Sequence, residues 1–435
     1  MLSFIQPFLH RSPASIESAQ KVPTDNQNPS SLQTFENLLS QGFTFPIEKS
    51  LKSSATKVVF NDSDPVIKDI CLKSWIACEN ALYSTSNLTN CTGYLLEGLY
   101  FNRRFARDVY LGIALIQHES EQFLKCGPLI KEPKLASINV DQPYVLVMKR
   151  LDDSSRLDHQ LRPAQLGNQK GIEFLASSIA NMHRRLKAAP KGFGTVDDLR
   201  KKLQVNQSLY QKSLEQLSLK NQELKDYEEV SLLMEKFLEE SKELFERRYA
   251  RNHIMRCHGD LKAVNLWVAN NANLLSQSRS RDLRLLTLDC IDFRPDFCHI
   301  DTLSDVAMLA VDLEMRLTFT RGWQIGRQLA AYFLSTYLKE AKEVGDVRPL
   351  LEYYMTEKAM VGALMSIHFD GLPTLGEKYL KVALAHAKRL KKHLPSNIKS
   401  KVVGKELDFQ PLDMVEQVDS SVPVLNQVLV SGISA

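Results

Sequence analysis

The sequence predicts an α+β protein with a strand-rich N-terminal part and a mostly helical C-terminal part. Short apolar and β-branched runs, which are typical of strands, occur up to residue 149. After Leu151, apolar residues recur mainly with helical period. A polar loop and two apolar runs interrupt the helical part at 256–293, and they indicate a small strand pair between helices.

The N-terminal part opens with a predicted helix, since "SLQTFENLLSQG" (31–42) has a Ser start, helical spacing of apolar residues and a Gly stop. In "TKVVFNDSDPVIKDI", two β-branched runs flank the turn residues Asn61 to Asp64 and predict a hairpin. The pattern from Leu72 to Ala106 is helical. Residues 109–115 and 143–149 are apolar and bounded by polar residues, and they predict buried strands.

The C-terminal part begins with the helical pattern "GIEFLASSIANMHRRL". A long amphipathic stretch follows at 199–250, and its apolar stripe from Val230 to Phe245 predicts core packing. "NLWVA" and "LRLLTLDCIDF" predict the strand pair. Residues 303–396 are helical again, and no internal repeat is present in the sequence.

Four segments follow from these patterns. Residues 1–31 include a stretch rich in Ser, Pro, Asn and Gln and predict a flexible arm. Residues 32–148 form a predicted N-lobe, and 149–398 a helical C-lobe. Residues 399–435 form a tail that ends "PVLNQVLVSGISA". An apolar strand followed by Ser-Gly is how a P-loop begins, but no GxxxxGK[ST] follows in this sequence.

Composition is that of a globular protein, with 44% hydrophobic and 24% charged residues among 435. A net charge of +4 over this length, without long runs of one sign, argues against nucleic acid as a partner. The seven cysteines include no CxxC pair, so we expect reduced thiols, no structural metal and a cytoplasmic protein. We expect no signal peptide. The sequence also contains no apolar run long enough to span a membrane.

The sequence "RCHGDLKAVNLWV" (256–268) holds the residues that point to chemistry. Asp260 lies five residues before Asn265. Transfer of a phosphoryl group needs a carboxylate that orients the attacking hydroxyl, and oxygen ligands for the metal that bridges the phosphates. An extended loop with this spacing can present both groups to one cavity. Lys262 could reach the same side and offset charge on the transferred group.

A second carboxylate is expected from the neighbouring strand, because magnesium bound to phosphates usually takes one or two protein carboxylates. Asp292 in "IDF" follows an apolar run and precedes an aromatic residue, which favours it as the metal ligand. Asp289 is the alternative. Period-two alternation predicts that Asp289 and Asp292 lie on opposite faces, so that only one of them is a primary ligand.

"HGDLKAVN" followed by "IDF" and "IDTLSDVA" resembles the aminoglycoside phosphotransferase family, whose relatives include choline kinase and the protein kinases. The resemblance spans roughly residues 40–390 and implies a bilobal protein-kinase-like fold. It implies that Asp260 is the catalytic base and that Asn265 and Asp292 hold magnesium. It also implies that Asp305 is a buried carboxylate that steadies the catalytic loop, and that His258 is a structural residue of that loop.

Weaker matches lie in the N-terminal part. Lys68, directly after the predicted hairpin, is similar to the strand lysine that holds nucleotide phosphates, and Glu97 is its expected ion-pair partner. "YVLVMKRL" resembles the strand and hinge that hold adenine, with backbone groups near Met148 contacting the base. No GxGxxG precedes Lys68. "EGLYFNRRFARDVYLGIAL" is most similar to a poorly characterised bacterial branch in which this domain is fused to a C-terminal P-loop domain.

These observations lead to two hypotheses. The first is a phosphotransferase that uses ATP, or another nucleoside triphosphate, and Mg²⁺ to modify a hydroxyl of a small molecule. The second is a non-catalytic kinase-like module that binds nucleotide or a partner. The acceptor is not identified by the sequence, although Glu314 or Glu357 could face a cationic one. A separate P-loop protein is a further candidate partner.

Overall fold

The computed structural model describes residues 37–52, 55–79, 84–217, 221–270 and 283–394. These residues belong to one unit, Met1–Val402, whereas the second unit, Val403–Ala435, lies outside them. The predictions of a flexible arm at 1–31 and of a tail at 399–435 therefore concern residues outside the described part. None of the helices in the described ranges combines the length and the apolar character that crossing a membrane requires.

A seven-stranded antiparallel sheet forms the N-terminal lobe, with strand order β1-β6-β5-β7-β4-β3-β2. Its strands are β1 (Phe43–Pro46), β2 (Lys49–Lys52), β3 (Thr56–Phe60), β4 (Ile70–Trp75), β5 (Tyr110–Glu119), β6 (Phe123–Cys126) and β7 (Tyr144–Lys149). Successive residues of β7 contribute to different apolar clusters, Leu146 and Met148 to one and Val145 and Val147 to the other. Both faces of the sheet are therefore covered.

Helix α1 (Leu88–Ala106) covers one face of this sheet. Leu95 and Leu99 pack with Tyr110 and Leu146 of the sheet and with Leu286, which comes from the strand pair in the second lobe. Asn87 caps the helix, since its side chain accepts a hydrogen bond from the Asn90 backbone N–H. This helix thus joins the sheet to the segment that carries Asp289 and Asp292.

The second lobe is mostly helical and has its own core. Its helices are α2 (Leu157–Gln160), α3 (Gln169–His183), α4 (Val196–Leu217), α5 (Asn221–Glu240), α6 (Lys242–Ala250), α7 (Pro295–Cys298), α8 (Thr302–Arg321), α9 (Trp323–Ala341), α10 (Arg348–Leu364) and α11 (Pro373–Lys391). A π-helical turn, Met365–Phe369, extends α10. Antiparallel pairs β8 (Ile254–Arg256) with β11 (His299–Asp301), and β9 (Leu266–Asn270) with β10 (Leu283–Thr287), lie among the helices.

The predicted α+β bilobal class is confirmed, as are the strands at 109–115 and 143–149 and the strand pair after the polar loop. The stripe at 230–245 is core, with Met234, Phe237 and Leu238 fully buried. The helix predicted from Leu72 is wrong at its start, because residues up to Trp75 continue β4. The hairpin turn is also longer than predicted, since β4 begins only at Ile70.

Candidate active site

The polar loop at 257–265 is held between two strand pairs. It leaves β8, passes through a 3₁₀ turn at Ala263–Asn265 and enters β9. Gly259 has a φ of +83°, and a Cβ there would lie 2.7 Å from Phe297 O. Only glycine satisfies both conditions, so the Gly of "HGD" is required by the path of the backbone.

Asp260 is a buried carboxylate, 4% exposed. Lys262 Nζ lies 3.1 Å from its Oδ2, and Asn265 Nδ2 donates to the same oxygen at 2.9 Å. Burial alone would raise the pKa of Asp260, but the Lys262 ammonium holds this pKa below its ordinary value. Among the described residues, Oδ1 of Asp260 has no hydrogen-bond partner. Asp260 therefore presents one ionised, unused oxygen.

Asp305, near the start of α8, holds this loop through hydrogen bonds to its backbone. Its two oxygens accept hydrogen bonds from the backbone N–H groups of His258 (3.1 Å) and Gly259 (2.9 Å). His183 Nε2 lies 3.2 Å from Oδ2. Burial alone would raise the pKa of Asp305, but the hydrogen bond with His183 and these contacts lower it. Asp305 is fully buried and does not face the cavity beside Asp260.

His258 connects the loop to the segment after β10. Its Nε2 lies 3.0 Å from Leu288 O, and its backbone O accepts from Ile291 N–H at 2.9 Å. Asn265 O accepts from Leu288 N–H at 2.8 Å. Burial lowers the pKa of His258, which favours the neutral imidazole. Three hydrogen bonds thus fix the 288–292 segment against the loop.

Asp312 is a further site residue that the sequence reasoning did not find. Its Oδ2 accepts from Ala263 N–H at 2.7 Å and from Arg316 Nε at 2.9 Å. Both Asp312 and Arg316 line the cavity beside Asp260. The available signal was an i,i+4 pair of Asp and Arg within the apolar α8, where a buried charge needs a partner.

Asp289 and Asp292 follow β10 and line one cavity together with Lys73 and Tyr110. The expectation of opposite faces is wrong, because the strand ends at Thr287 and Asp289 has a φ of +63°. Such a backbone conformation is uncommon outside glycine and is often found at functional sites. Tyr110 Oη accepts from the Asp289 N–H at 3.0 Å and supports this conformation.

The two carboxylates differ in environment. Asp289 is 41% exposed along its side chain and forms an ion pair with Lys73. Burial alone would raise the pKa of Asp289, but Lys73 lowers it. Burial raises the pKa of Asp292 to about 7. Its carboxylate lies so close to Gly98 of α1 that a Cβ at Gly98 would overlap it. Asp289 is thus ionised and partly accessible.

Lys68 does not lie on a strand, so that expectation is wrong: it is an exposed residue in the turn before β4. Instead, Lys73 on β4 lines the cavity of Asp289 and Asp292 and contacts Asp289. Burial alone would lower the pKa of Lys73, but Asp289 and Asp292 raise it. The signal for Lys73 was a lone lysine in the apolar run "ICLKSW", which the helical interpretation of this segment concealed.

Glu97 lies elsewhere than expected, whereas Met148 lies on the predicted strand. Glu97 is on the exposed side of α1, in a groove with Arg103 and Arg104. No ion pair joins it to Lys68 in the part of the chain that the structure describes. Met148 is buried inside β7, which pairs with β4 and β5 on its two sides. Backbone groups that bind a nucleotide base would therefore have to come from the residues after β7, because the backbone of Met148 is paired with a strand on each side.

No group of three or more His, Cys, Asp and Glu side chains forms a metal cage within the described ranges. Magnesium at nucleotide sites takes one or two carboxylates plus phosphate oxygens and water, so it does not need such a cage. Asn265 and Asp289 offer one amide oxygen and one carboxylate, which suits magnesium bound in this way. All seven cysteines are free in the structure.

Comparisons with known proteins give remote similarities. The chain matches no protein-family profile. It is 24% identical over 268 residues to uncharacterised proteins of Mycobacterium tuberculosis and Mycobacterium bovis. That match covers 60% of this chain and 44% of the relatives, so the chain spans less than half the length of these proteins.

Solved structures similar to this chain include three kinases. A choline kinase from Cryptosporidium parvum has 12% identity and a TM-score of 0.48, over 87% of this chain and 95% of its own. An ethanolamine kinase from Plasmodium vivax has 10% identity and a TM-score of 0.41, over 84% and 95%. An ADP-bound aminoglycoside phosphotransferase has 13% identity and a TM-score of 0.39, over 83% and 99%.

Proposed function

We propose that this protein is a phosphotransferase that moves the γ-phosphoryl group of ATP to a hydroxyl of a small molecule, with Mg²⁺ as cofactor. The observation that supports this most strongly is that two segments carrying these side chains are held side by side. Asp260 and Asn265 come from the loop, Asp289 comes from the segment after β10, and backbone hydrogen bonds join the two segments. Lys73, from the sheet, lines the cavity that Asp289 and Asp292 also line.

Asp260 has the geometry of a general base. It is ionised, fixed by Lys262 and Asn265, and its Oδ1 is available to accept a hydrogen bond from an acceptor hydroxyl. The acceptor oxygen would form a bond to the γ-phosphorus while the bond from that phosphorus to the bridging oxygen of ADP breaks. The hydroxyl proton passes to Asp260, and ADP leaves with the electron pair.

Lys262 and Lys73 supply positive charge on two sides of this reaction. Lys262 Nζ, beside Asp260, would offset charge on the transferred group. Lys73, on β4, would bind phosphate oxygens in the role first assigned to Lys68. In the free protein Lys73 forms an ion pair with Asp289. The position of this lysine therefore already favours a negatively charged group beside it.

Asn265 and Asp289 are the proposed metal ligands. Asn265 Nδ2 donates to Asp260 O and to Asp260 Oδ2, so its Oδ1 is left for a cation. We place Asp289 before Asp292 as the carboxylate ligand, because its side chain is 41% exposed and already forms an ion pair with the Lys73 ammonium. Bound there, Mg²⁺ would neutralise phosphate charge.

The test uses Asp260→Asn, which keeps the shape of the side chain and removes its basicity. Slow Mg²⁺-dependent release of ADP from ATP, with water as acceptor, would be measured together with the thermal shift caused by Mg²⁺ and ATP. We expect turnover to fall by about 10²–10⁴-fold, the usual contribution of a general base, while the thermal shift is retained. Asp346→Asn, at a carboxylate 52% exposed outside the site, is the control and should leave both readouts unchanged.

Three results would count against the proposal. If Asp260→Asn released ADP at the wild-type rate, Asp260 would not be the base. If wild type bound Mg²⁺ and ATP but showed no turnover, the non-catalytic alternative would be favoured. Absence of any magnesium-dependent shift with ATP or GTP would remove the nucleotide site altogether.

A further inference from the structure

A second cavity in the helical lobe adjoins the cavity beside Asp260. The cavity beside Asp260 encloses about 60 Å³ and the second about 50 Å³. Met308, Lys358, Val361 and Met365 line both, so the two adjoin. A molecule with one hydroxyl at Asp260 would extend past Lys358 toward Glu357, which lines only the second cavity.

Most charges along this path already have partners. Asp312 accepts hydrogen bonds from Ala263 N–H and from Arg316. Lys202, in the second cavity, lies 3.0 Å from Asp198. Paired charges of this kind have little capacity left for a charged ligand, because each new ion contact would break an existing one.

Glu314 and Glu357, the two carboxylates considered for a cationic acceptor, do not suit one. Glu314 is buried, absent from both cavity linings, and its Oε2 lies 3.1 Å from His386 Nε2. Glu357 Oε2 lies 3.0 Å from Lys358 Nζ. Neither carboxylate is therefore left without a cation.

Lys358 and Glu357 form a mostly buried ion pair beside the two cavities. Lys358 is 9% exposed, and the two side chains are 11% and 14% exposed. Glu357 Oε2 is buried and, within the described residues, accepts no hydrogen bond, although it lies within ion-pair distance of Lys358. Residues adjacent in a helix do not face each other, which explains an ion contact without a well-aligned hydrogen bond.

A ligand with a single net charge would compensate one member of this pair and leave the other buried without its partner, which is costly. A hydroxyl group avoids that cost, because it can accept from Lys358 Nζ and donate to Glu357 Oε2 at once. The pair then stays neutral overall, and the unused acceptor capacity of Glu357 is satisfied.

We propose that the acceptor is an uncharged polyhydroxy compound, a sugar or polyol, with one hydroxyl at Asp260 and a second between Lys358 and Glu357. This inference rests on the proposed phosphotransferase function and specifies its substrate class. Amine-bearing alcohols and hydroxy acids are disfavoured by the same charge balance.

The test compares acceptors in the full chain with ATP and Mg²⁺. Glycerol, ribose, glucose and myo-inositol represent polyols; choline and ethanolamine represent amines; glycerate represents acids; serine represents zwitterions. ADP formation that depends on the acceptor would be measured, with the phosphomonoester product identified by ³¹P NMR. We expect a polyol to exceed every charged acceptor in kcat/KM by about 10-fold or more, since a buried hydrogen bond to a charged group is worth that factor.

Lys358→Met tests the residue itself. It should raise the KM of the polyol by about 10- to 100-fold, the equivalent of one hydrogen bond to a charged group. It should also shift relative kcat/KM toward choline or ethanolamine, because Glu357 then lacks a cation. The double variant Lys358→Met/Glu357→Leu removes both charges, so it avoids an unpaired buried carboxylate and should lose the polyol without gaining the amine. Lys381→Met, at an exposed lysine of α11, is the matched control.

The outcomes separate this inference from the proposed function. If nucleotide binds with magnesium but an amine, an acid or a zwitterion is the best acceptor, or no polyol is phosphorylated, the acceptor class is wrong and the phosphotransferase site stands. If Lys358→Met leaves acceptor preference unchanged, the assignment of Lys358 is wrong. If ATP and Mg²⁺ do not bind at all, the proposed function fails and the acceptor class fails with it.

Discussion

Removal of the Asp305 carboxylate should destabilise the fold far more than removal of a surface carboxylate. Asp305 is 0% exposed and accepts the backbone N–H groups of His258 and Gly259 together with a contact from His183. In Asp305→Ala these two N–H groups remain buried without acceptors. Each such group costs about 1–3 kcal/mol, so the expected loss is about 2–6 kcal/mol.

Urea unfolding followed by circular dichroism measures this loss. Asp197→Ala is the control, because that side chain is 81% exposed and its ion pair with Arg200 lies on the surface. A surface pair contributes about 0–1 kcal/mol, so the two variants should be clearly separated. If Asp305→Ala were no less stable than the control, the carboxylate would not hold the catalytic loop as described.

The same variant predicts a pH dependence. The pKa of Asp305 in the folded protein lies below its ordinary value of 3.8, because the hydrogen bonds and His183 outweigh the effect of burial. A lowered pKa contributes stability that is present above pH 3.8 and is lost as pH falls through the folded value. The stability gap between wild type and Asp305→Ala should therefore be constant near neutrality and shrink below about pH 4. A gap that widened in acid would contradict this reasoning.

Two further predictions concern buried contacts, one at Gly98 beside Asp292 and one at His386 in the helical lobe. Gly98→Ala should destabilise the protein by about 1–3 kcal/mol in urea unfolding, because the added methyl group overlaps the Asp292 carboxylate; Gly93→Ala on the same helix, where the methyl group meets nothing within 4 Å, should not. His386 is buried 2.7 Å from Glu352, and although burial alone would lower the pKa of His386, the carboxylates around it raise that pKa above 6.5. The advantage of wild type over His386→Gln should thus be full below pH 6.5 and shrink as pH rises through the folded value, and a pH-independent difference in urea midpoints would contradict it.

The sequence predicted the elements whose signal is local. The HGD loop needs a glycine at the sharp turn and polar residues at fixed intervals, and side-chain atoms of Asp260 and Asn265 lie 2.9 Å apart in the structure. The apolar stripe at 230–245 and the strands at 110–119 and 144–149 follow from burial patterns that any amphipathic element must have.

The residues that were missed depend on contacts between distant segments. Lys73 faces Asp289 across 216 positions of sequence, and no local pattern distinguishes it from Lys68 until the start of β4 is known. Period two failed at Asp289 because a left-handed residue ends the regular strand, with Tyr110 and Asn102 supporting the backbone there. Glu97 was chosen on helix α1, but its neighbour Gly98 faces the cleft.

A crystal structure with a non-hydrolysable ATP analogue and Mg²⁺ is the most direct test of the proposed site. We expect one Mg²⁺ between the phosphates, with Asn265 Oδ1 and an Asp289 oxygen at about 2.0–2.1 Å. Lys73 should contact phosphate, and Asp260 should face the γ-phosphorus across the space for an acceptor hydroxyl. Metal held by Asp292 without Asp289, or nucleotide bound away from Asp260, would contradict it.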